Sequence, residues 1–294
     1  MVTPAPSALL ELLKPITWFA PMWAFACGVV SSGASPSGQW PVIAAGVILA
    51  GPLVCATSQA VNDWYDRHVD AINEPSRPIP SGRMPGRWGL WVAGAWTVLS
   101  LAVAAALGPW ILGAAMFGLV LAWVYSAPPL RLKQNGWWGN SAVAICYEGL
   151  PWFTGAAVMA AAMPDRRVLL VALLYSVGAH GIMTLNDFKS VEGDSRMGVR
   201  SLPVQLGTQA AARFACLVMA LPQIAVIAAL AAWDRPWHAG VIALLLAGQF
   251  ALMATLLAQP REKAAWYNGT GTTLYVLGML VAAFALRPLV GGSA

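Results

Sequence analysis

The sequence predicts an all-α integral membrane protein with about nine transmembrane helices around a lipid-accessible cavity. Of the 294 residues, 59% are hydrophobic and only 10% are charged. The charged residues are confined to short segments between long apolar ones, and the mean hydropathy is +0.65. A water-soluble domain carries roughly 25% charged residues. The bilayer is therefore the expected solvent, and the whole chain, residues 1–294, is expected to form one transmembrane domain.

Each predicted helix is an apolar stretch of about the 20 residues needed to cross the hydrocarbon core. Gly108-Pro109 divides what would otherwise be one very long apolar run. No cleavable signal peptide is expected, because Glu11 and Lys14 precede a segment of spanning length. The nine predicted segments are 16–33, 41–61, 88–107, 109–126, 138–161, 167–187, 211–232, 237–258 and 268–288.

The distribution of lysine and arginine predicts the orientation of these helices. If they alternate in direction, 13 of the 17 basic residues fall on the side that carries the N-terminus. The positive-inside rule makes that side cytoplasmic. The pI near 9.2 is then mostly a topology signal. A nucleic-acid partner is not expected, because the basic residues are dispersed among membrane loops.

Asp63, Asp66 and Asp70 end the second predicted helix on this cytoplasmic side. At 100° per residue they fall within about 60° of arc on a continuing helix. Three carboxylates on one stripe repel each other unless a cation binds between them. Magnesium prefers oxygen ligands and typically takes one or two carboxylates together with substrate phosphates. The spacing therefore predicts a Mg²⁺ site.

A second acidic cluster, at the end of the sixth predicted helix, repeats the first. Asn186-Asp187 matches Asn62-Asp63, and Asp194 matches Asp70, while a serine, Ser190, stands opposite Asp66. The match continues downstream to an arginine, Arg77 in motif 1 (62–83) and Arg200 in motif 2 (186–207). An internal repeat on one side of the bilayer predicts two half-sites facing one cavity.

Basic residues accompany both acidic clusters on the same side. Mg²⁺ alone does not neutralise a diphosphate, so Arg and Lys donors are expected around it. Tyr125 belongs to the turn that closes the fourth predicted helix on this face. The candidate cations are Arg67, Arg77, Arg83, Lys133, Lys189, Arg196 and Arg200.

At this point the sequence resembles a known family. Asn62-Asp63-x-x-Asp66-x-x-x-Asp70 resembles the first aspartate motif of the intramembrane UbiA-type prenyltransferases, and Glu192-Gly-Asp194 resembles the end of their second. The second motif of the family usually begins with an aspartate where this chain has Ser190. Other stretches resemble the (bacterio)chlorophyll synthase branch, namely 73–83, 146–155, 178–185, 186–194, 201–207 and 266–271.

The resemblance implies a reaction, a cofactor and a set of ligands. Geranylgeranyl or phytyl diphosphate would esterify the propionate of bacteriochlorophyllide in a bacterial inner, intracytoplasmic photosynthetic membrane. The expected partners of the protein are these substrates, the lipid bilayer and other membrane proteins of pigment biosynthesis. Mg²⁺ would be held by Asp63, Asp66, Asp70, Asp187, Glu192 and Asp194, with Asn62 and Asn186 against the substrate.

Three residues inside predicted helices are candidates for binding the acceptor substrate. Tyr147 and Glu148, the one acid predicted within the membrane, could orient it, with a structural hydrogen bond as the alternative. His180 is a candidate axial ligand of the tetrapyrrole magnesium, since imidazole is a common metal ligand, with a satisfied buried histidine as its alternative.

Other functions stay open at this stage. The acceptor could instead be chlorophyllide, haem or a quinone precursor. A secondary transporter would also carry charged residues in a helical bundle, although transporters place them near the midplane and the acids here gather at one face. A pigment scaffold would leave the repeated aspartates unexplained.

Overall fold

The computed structural model describes residues 3–291, and that part of the chain is built from helices joined by short connections. The longest described helix carries the three aspartates of motif 1, because it continues well past the predicted membrane segment 41–61. The helices are α1 (Pro6–Leu13), α2 (Phe19–Ser31), α3 (Trp40–Asn73), α4 (Trp88–Leu107), α5 (Pro109–Ser126), α6 (Gly136–Ala160), α7 (Arg166–Asn186), α8 (Val191–Arg196), α9 (Leu202–Leu206), α10 (Thr208–Ala232), α11 (Pro236–Ala258) and α12 (Pro260–Gly291).

The predicted fold class is confirmed. Within residues 3–291, eight helices are long and apolar enough to cross a membrane, and the number is nine if α1 and α2 together form one span. Backbone groups in hydrocarbon must be hydrogen-bonded internally, which is why a chain of this composition folds as helices.

The prediction of one continuous first helix over 16–33 is wrong. A 3-10 turn at Pro15–Thr17 separates α1 from α2, and the two helices meet at 54°. Lys14 adopts a left-handed backbone conformation with φ 47° at the end of α1. Pro15 follows it and lacks an amide hydrogen, so it cannot continue the helical hydrogen bonds. With 13 residues, α2 is only about 20 Å long and is too short to cross the bilayer alone.

Two π-helical turns interrupt α3 and α6, at Leu49–Cys55 and Ile145–Gly149. They lie against each other, since Cys55 Sγ donates to the Tyr147 hydroxyl at 3.5 Å. Such turns insert an extra residue into a helix, re-aim the side chains around it, and occur often at functional sites.

Close packing between small residues positions α2 against α6. A Cβ atom at Gly28 would collide with the carbonyl oxygen of Trp152, and one at Gly155 would collide with that of Phe25. Small residues allow this close approach of helix backbones in a bilayer. The helix α1 packs against the Ala56–Asn73 stretch of α3, with Leu12 and Ala60 in the same buried cluster, and this packing holds the N-terminal segment beside the aspartates of motif 1.

Candidate active site

A cavity of about 670 Å³ lies between α2, α3, α5, α6, α7 and α12. Asn62 of motif 1 and Asn186 of motif 2 both line it, although they belong to different helices. Lys189, just after Asn186, lines it as well. The two copies of the repeat therefore meet at one cavity. Other polar residues on its wall are Thr17, Ser58, Gln59, Tyr125, Tyr147, Glu148, Asn268, Thr272 and Thr273.

The three aspartates of motif 1 lie on one uninterrupted helical stretch, Ala56–Asn73, as their spacing predicts. Asp63 is the most deeply buried of these carboxylates, with 2% of its side chain exposed. It accepts a hydrogen bond from Lys14 Nζ at 2.6 Å, and Arg77 Nη1 lies 3.4 Å from the same oxygen. Arg77 also donates to Asp70 at 2.9 Å. One guanidinium thus links two of the three motif 1 carboxylates.

Asp66, the middle carboxylate, faces the connection between α5 and α6. Lys133 Nζ donates to both of its oxygens, and Arg131 lies 3.6 Å away. Asn62 Nδ2 donates to Asp66 at 3.1 Å and to the Ser126 hydroxyl at 3.2 Å. These contacts fix the Asn62 side chain on the cavity wall.

Burial affects the pKa values of Arg77 and Lys133, two cations outside the membrane helices, to different extents. Burial acts to lower the pKa of Arg77, but Glu74, Asp63 and Asp70 outweigh it, and the pKa is raised above its usual value. Burial also lowers the pKa of Lys133, and Asp66 only partly opposes that shift. Lys133 is therefore the more easily deprotonated of the two.

Hydrogen bonds hold Asn186 and the two aspartates of motif 2. Asn140 Nδ2 of α6 donates to Asp187 at 3.0 Å, and Asn268 Nδ2 of α12 donates to Asn186 at 2.9 Å. Ser190 Oγ donates to Asp194 at 2.9 Å. The serine that replaces the usual aspartate therefore orients the last aspartate of its own motif.

The loop before α6 joins the two motifs. While Lys133 contacts motif 1, the backbone N–H of Arg200 donates to Gln134 O at 2.9 Å, and Gly136 N donates to Arg200 O at 2.8 Å. The repeat is not symmetric here. Arg77 pairs with carboxylates of its own motif, but the exposed Arg200 side chain makes no hydrogen bond or ion pair with the described residues.

The six predicted metal ligands do not form one cluster. Among residues 3–291, no three His, Cys, Asp or Glu side chains are gathered closely enough to hold an ion by themselves. The residues nevertheless fit a hard cation that shares its ligands with a phosphate. The donors are carboxylate oxygens, and the buried Oδ2 of Asp63 has no hydrogen-bond partner within the described chain.

The five aspartates of the two motifs are not among the lining residues themselves, but Asp66 contacts Asn62, and Asp187 follows Asn186 in the chain. Four other predicted site residues have side chains that face other partners, solvent or the protein interior. Arg67 donates to its neighbour Trp64 O at 2.6 Å and covers the Trp64 ring. Glu192 is 76% exposed and faces Arg261 at 3.6 Å. Arg196 is exposed. His180 is buried beside the rings of Trp137 and Phe214 and is not among the lining residues.

Several site residues escaped the sequence analysis. Lys14 was counted only as a topology charge, and nothing in its local sequence indicates that it reaches Asp63, 49 positions away. Three other site residues could have been recognised from the sequence as polar amides within apolar helices, namely Asn140, Asn268 and Gln59. A polar amide within an apolar helix is costly unless it has a partner, and each of these three proves to contact a site residue.

Comparison with known proteins agrees with this geometry. Residues 18–275 match the model of the UbiA prenyltransferase family. The chain belongs to this family. It is 62% identical over 286 residues to the Bacteriochlorophyll synthase 33 kDa chain of Cereibacter sphaeroides, a match covering 97% of this chain and 95% of that one. It is 38% identical to the chloroplastic chlorophyll synthase of Arabidopsis thaliana, covering 94% of this chain and 73% of the relative.

The UbiA fold is also evident among solved structures. A UbiA homolog from Archaeoglobus fulgidus, bound to DMAPP and Mg²⁺, superimposes with a TM-score of 0.75 at 20% sequence identity, covering 96% of this chain and 99% of that one. Membership in the UbiA prenyltransferase family makes this chain an integral membrane prenyltransferase. The secondary transporter and the pigment scaffold are therefore set aside.

Proposed function

We propose that this prenyltransferase esterifies the propionate of bacteriochlorophyllide with geranylgeranyl or phytyl diphosphate and releases diphosphate. The names of the bacterial and plant relatives supply the class of acceptor. The observation that carries the proposal is the single cavity that both motifs reach through Asn62 and Asn186. Its volume lies within the usual range for ligand sites, and its motif end is rich in acids and cations.

The diphosphate of the donor would bind where the two motifs meet. Asp63, Asp66 and Asp70 from one side, and Asp187 and Asp194 from the other, would hold Mg²⁺ together with phosphate oxygens. When bound, Mg²⁺ neutralises the charge that develops on the leaving diphosphate. The cations that contact these carboxylates or line the cavity would bind the remaining phosphate oxygens, namely Lys14, Arg77, Arg131, Lys133 and Lys189.

The reaction needs little acid–base help from the protein. The acceptor propionate is ionised near neutral pH, because an ordinary carboxyl has a pKa of about 4. Its oxygen forms a bond to the first carbon of the allylic chain, while the bond from that carbon to the diphosphate oxygen breaks and the diphosphate leaves with the electron pair. The apolar walls, including Trp23 and Val276, would hold the chain and exclude water from the allylic cation.

The contacts also narrow the set of substrate-binding residues. Tyr125 and Tyr147 line the cavity and remain in the proposed site. Arg67, Glu192, Arg196 and His180 are left out, because their side chains face other partners, solvent or the protein interior. For Arg200 only the backbone takes part, through its link to the loop before α6.

We further propose that the chain acts as one domain in the bacterial inner, intracytoplasmic membrane, with the N-terminus and both motifs on the cytoplasmic side. The excess of basic residues in the loops on that side supports this orientation. Labelling of single cysteines placed at exposed positions 75 and 196 in sealed vesicles would test it. Labelling of both from the periplasmic side would refute it.

The activity can be tested in membranes that contain the protein. Bacteriochlorophyllide, chlorophyllide and a quinone precursor would each be incubated with geranylgeranyl diphosphate and with phytyl diphosphate, and the products identified by mass spectrometry. We expect an ester of bacteriochlorophyllide, loss of turnover with EDTA, and recovery with Mg²⁺. Failure to form any tetrapyrrole ester would refute the proposal.

A matched pair of variants tests the site itself. Asp63→Ala should abolish esterification without affecting membrane insertion, because it removes the most buried carboxylate of motif 1. The control is Glu262→Ala, an exposed acid at the start of α12, which should retain full activity. Normal turnover by the Asp63 variant would remove this residue from the proposed metal site.

A further inference from the structure

Glu148 is a buried acid on the cavity wall whose own protein neighbours leave it unsatisfied. It lies on the π-helical turn of α6, with only 4% of its surface exposed. Its Oε2 atom is buried and makes no hydrogen bond with any described residue. Burying a polar group without a partner is costly in a protein. A carboxyl left in this condition on the wall of a substrate cavity points to a ligand as the missing partner.

The surroundings of Glu148 indicate the form in which it acts. The titratable groups that interact with it are Cys27 of α2 and Tyr275 of α12, and both are acids. Tyr275 uses its hydroxyl hydrogen on Tyr175 O, at 2.6 Å. No Lys, Arg or His among the described residues forms an ion pair with Glu148. An apolar wall without a counter-ion favours the neutral acid, which carries one O–H donor.

Only one of the two substrates can accept that hydrogen bond. The isoprenoid chain is a hydrocarbon and has no acceptor atom. The diphosphate belongs at the motif end, where Asn140 of α6 contacts Asp187. Glu148 is eight positions farther along α6 than Asn140, or about 12 Å along a helix that rises 1.5 Å per residue. A tetrapyrrole whose propionate lies at the diphosphate extends over such a distance and carries carbonyl groups on its rim.

A different wall of the cavity suits the isoprenoid chain. A second cavity of about 40 Å³ adjoins the first and shares Val54, Gly118 and Cys146 with it. Its lining consists mostly of aliphatic side chains and small residues of α3, α5 and α6. The only polar group of the Cys146 side chain, its thiol, donates a hydrogen bond to Gly118 O at 3.8 Å. The hydrocarbon chain can lie along this apolar wall of the main cavity without facing Glu148.

We infer that Glu148 recognises the acceptor by donating a hydrogen bond to a carbonyl on the rim of the tetrapyrrole. It thereby selects among acceptors that carry the same propionate. This inference rests on the proposed function, since it takes a tetrapyrrole as the acceptor. Glu148 does not touch the reacting atoms in this arrangement; it sets affinity and orientation.

The test compares three variants by acceptor binding, measured from the pigment's fluorescence without any donor, and by the KM of each substrate. Glu148→Leu should weaken bacteriochlorophyllide binding at least tenfold and leave the KM for the donor unchanged. Glu148→Gln keeps an N–H donor and should stay within about threefold of the unmodified protein. Cys216→Ala, at a buried position of α10 that lines neither cavity, is the matched control and should bind the acceptor normally.

Acceptor analogues identify the carbonyl. One analogue has the ring acetyl replaced by vinyl, as in chlorophyllide, and the other has the ring ketone replaced by methylene. For one of them, the unmodified protein and Glu148→Leu should bind equally well, because the hydrogen bond is already absent. Equal binding of native bacteriochlorophyllide by Glu148→Leu and the unmodified protein would overturn the inference. So would an equal loss for native acceptor and both analogues.

The proposed function and the role of Glu148 can be refuted separately. If the unmodified protein forms no tetrapyrrole ester, the proposed function is wrong. If it is active and Glu148→Leu binds the acceptor normally, only the inference about Glu148 is wrong. Misfolding is recognised separately, because a misfolded variant would also lose its normal KM for the donor.

Discussion

Replacing Lys14 by methionine should lower kcat/KM for the prenyl donor about 10- to 30-fold. Lys14 Nζ lies 2.6 Å from Asp63, whose side chain is only 2% exposed. A hydrogen bond to a charged group contributes about 1.5–3 kcal/mol, and Arg77 still lies 3.4 Å from the same oxygen. The lower part of that range, about 1.5–2 kcal/mol, therefore applies, and each 1.4 kcal/mol corresponds to a factor of ten.

The assay is esterification at saturating acceptor, with donor and Mg²⁺ varied independently. Without Lys14, Asp63 loses its closest cation, so the carboxylate is held less firmly and higher Mg²⁺ should be needed for half-maximal rate. Lys14→Arg should recover most of the activity. Lys263→Met, which removes a half-buried cation over the Trp266 ring, is the control. Unchanged kcat/KM and Mg²⁺ dependence in the Lys14→Met variant would refute the reasoning.

Three further predictions concern Lys133, the acids of motif 2 and a buried pair of glutamines. Burial lowers the pKa of Lys133, so activity that needs its positive charge should fall as pH rises toward that lowered pKa. Lys133→Arg should move this alkaline limit of the kcat/KM profile to higher pH. An unchanged limit would contradict a role for the charge of Lys133. Asp194→Asn should reduce turnover at least 100-fold, whereas Glu192→Gln, at a 76% exposed side chain, should change it less than twofold; equal losses would contradict the assignment. Gln223 and Gln249 are fully buried and exchange two hydrogen bonds, at 3.1 and 2.9 Å. Thermal unfolding of the two Gln→Leu single variants and of the double variant should therefore give a coupling energy of about 0.6–1.7 kcal/mol between the two side chains. Strictly additive effects on stability would contradict this prediction.

Much of the fold could be predicted from local sequence, and one helix shows where that reasoning ends. Apolar segments of spanning length have few alternatives to helices in a bilayer, so most of the predicted segments correspond to observed helices. The first segment failed because hydrophobicity alone does not reveal a break. There, Lys14 takes a left-handed conformation, and a 3-10 turn redirects the chain toward the cavity.

The candidate site was predictable to the level of its motifs. The Asn-Asp spacing and its repetition located Asn62 and Asn186, which the structure brings to one cavity. Their partners were not predictable from spacing. Asn140 and Asn268 reach motif 2 from α6 and α12, and such contacts depend on how distant helices pack.

The sequence by itself determined that this protein spans a membrane, which segments form most of its long helices, and which residues form the two acidic motifs. These properties depend on the chemistry of contiguous residues and on the helical period. Only the tertiary structure decided that Lys14 pairs with Asp63, that Glu192 faces solvent, and that Glu148 lies unpartnered on the cavity wall. Those outcomes follow from helix packing, which brings together side chains far apart in the chain and sets what each one faces.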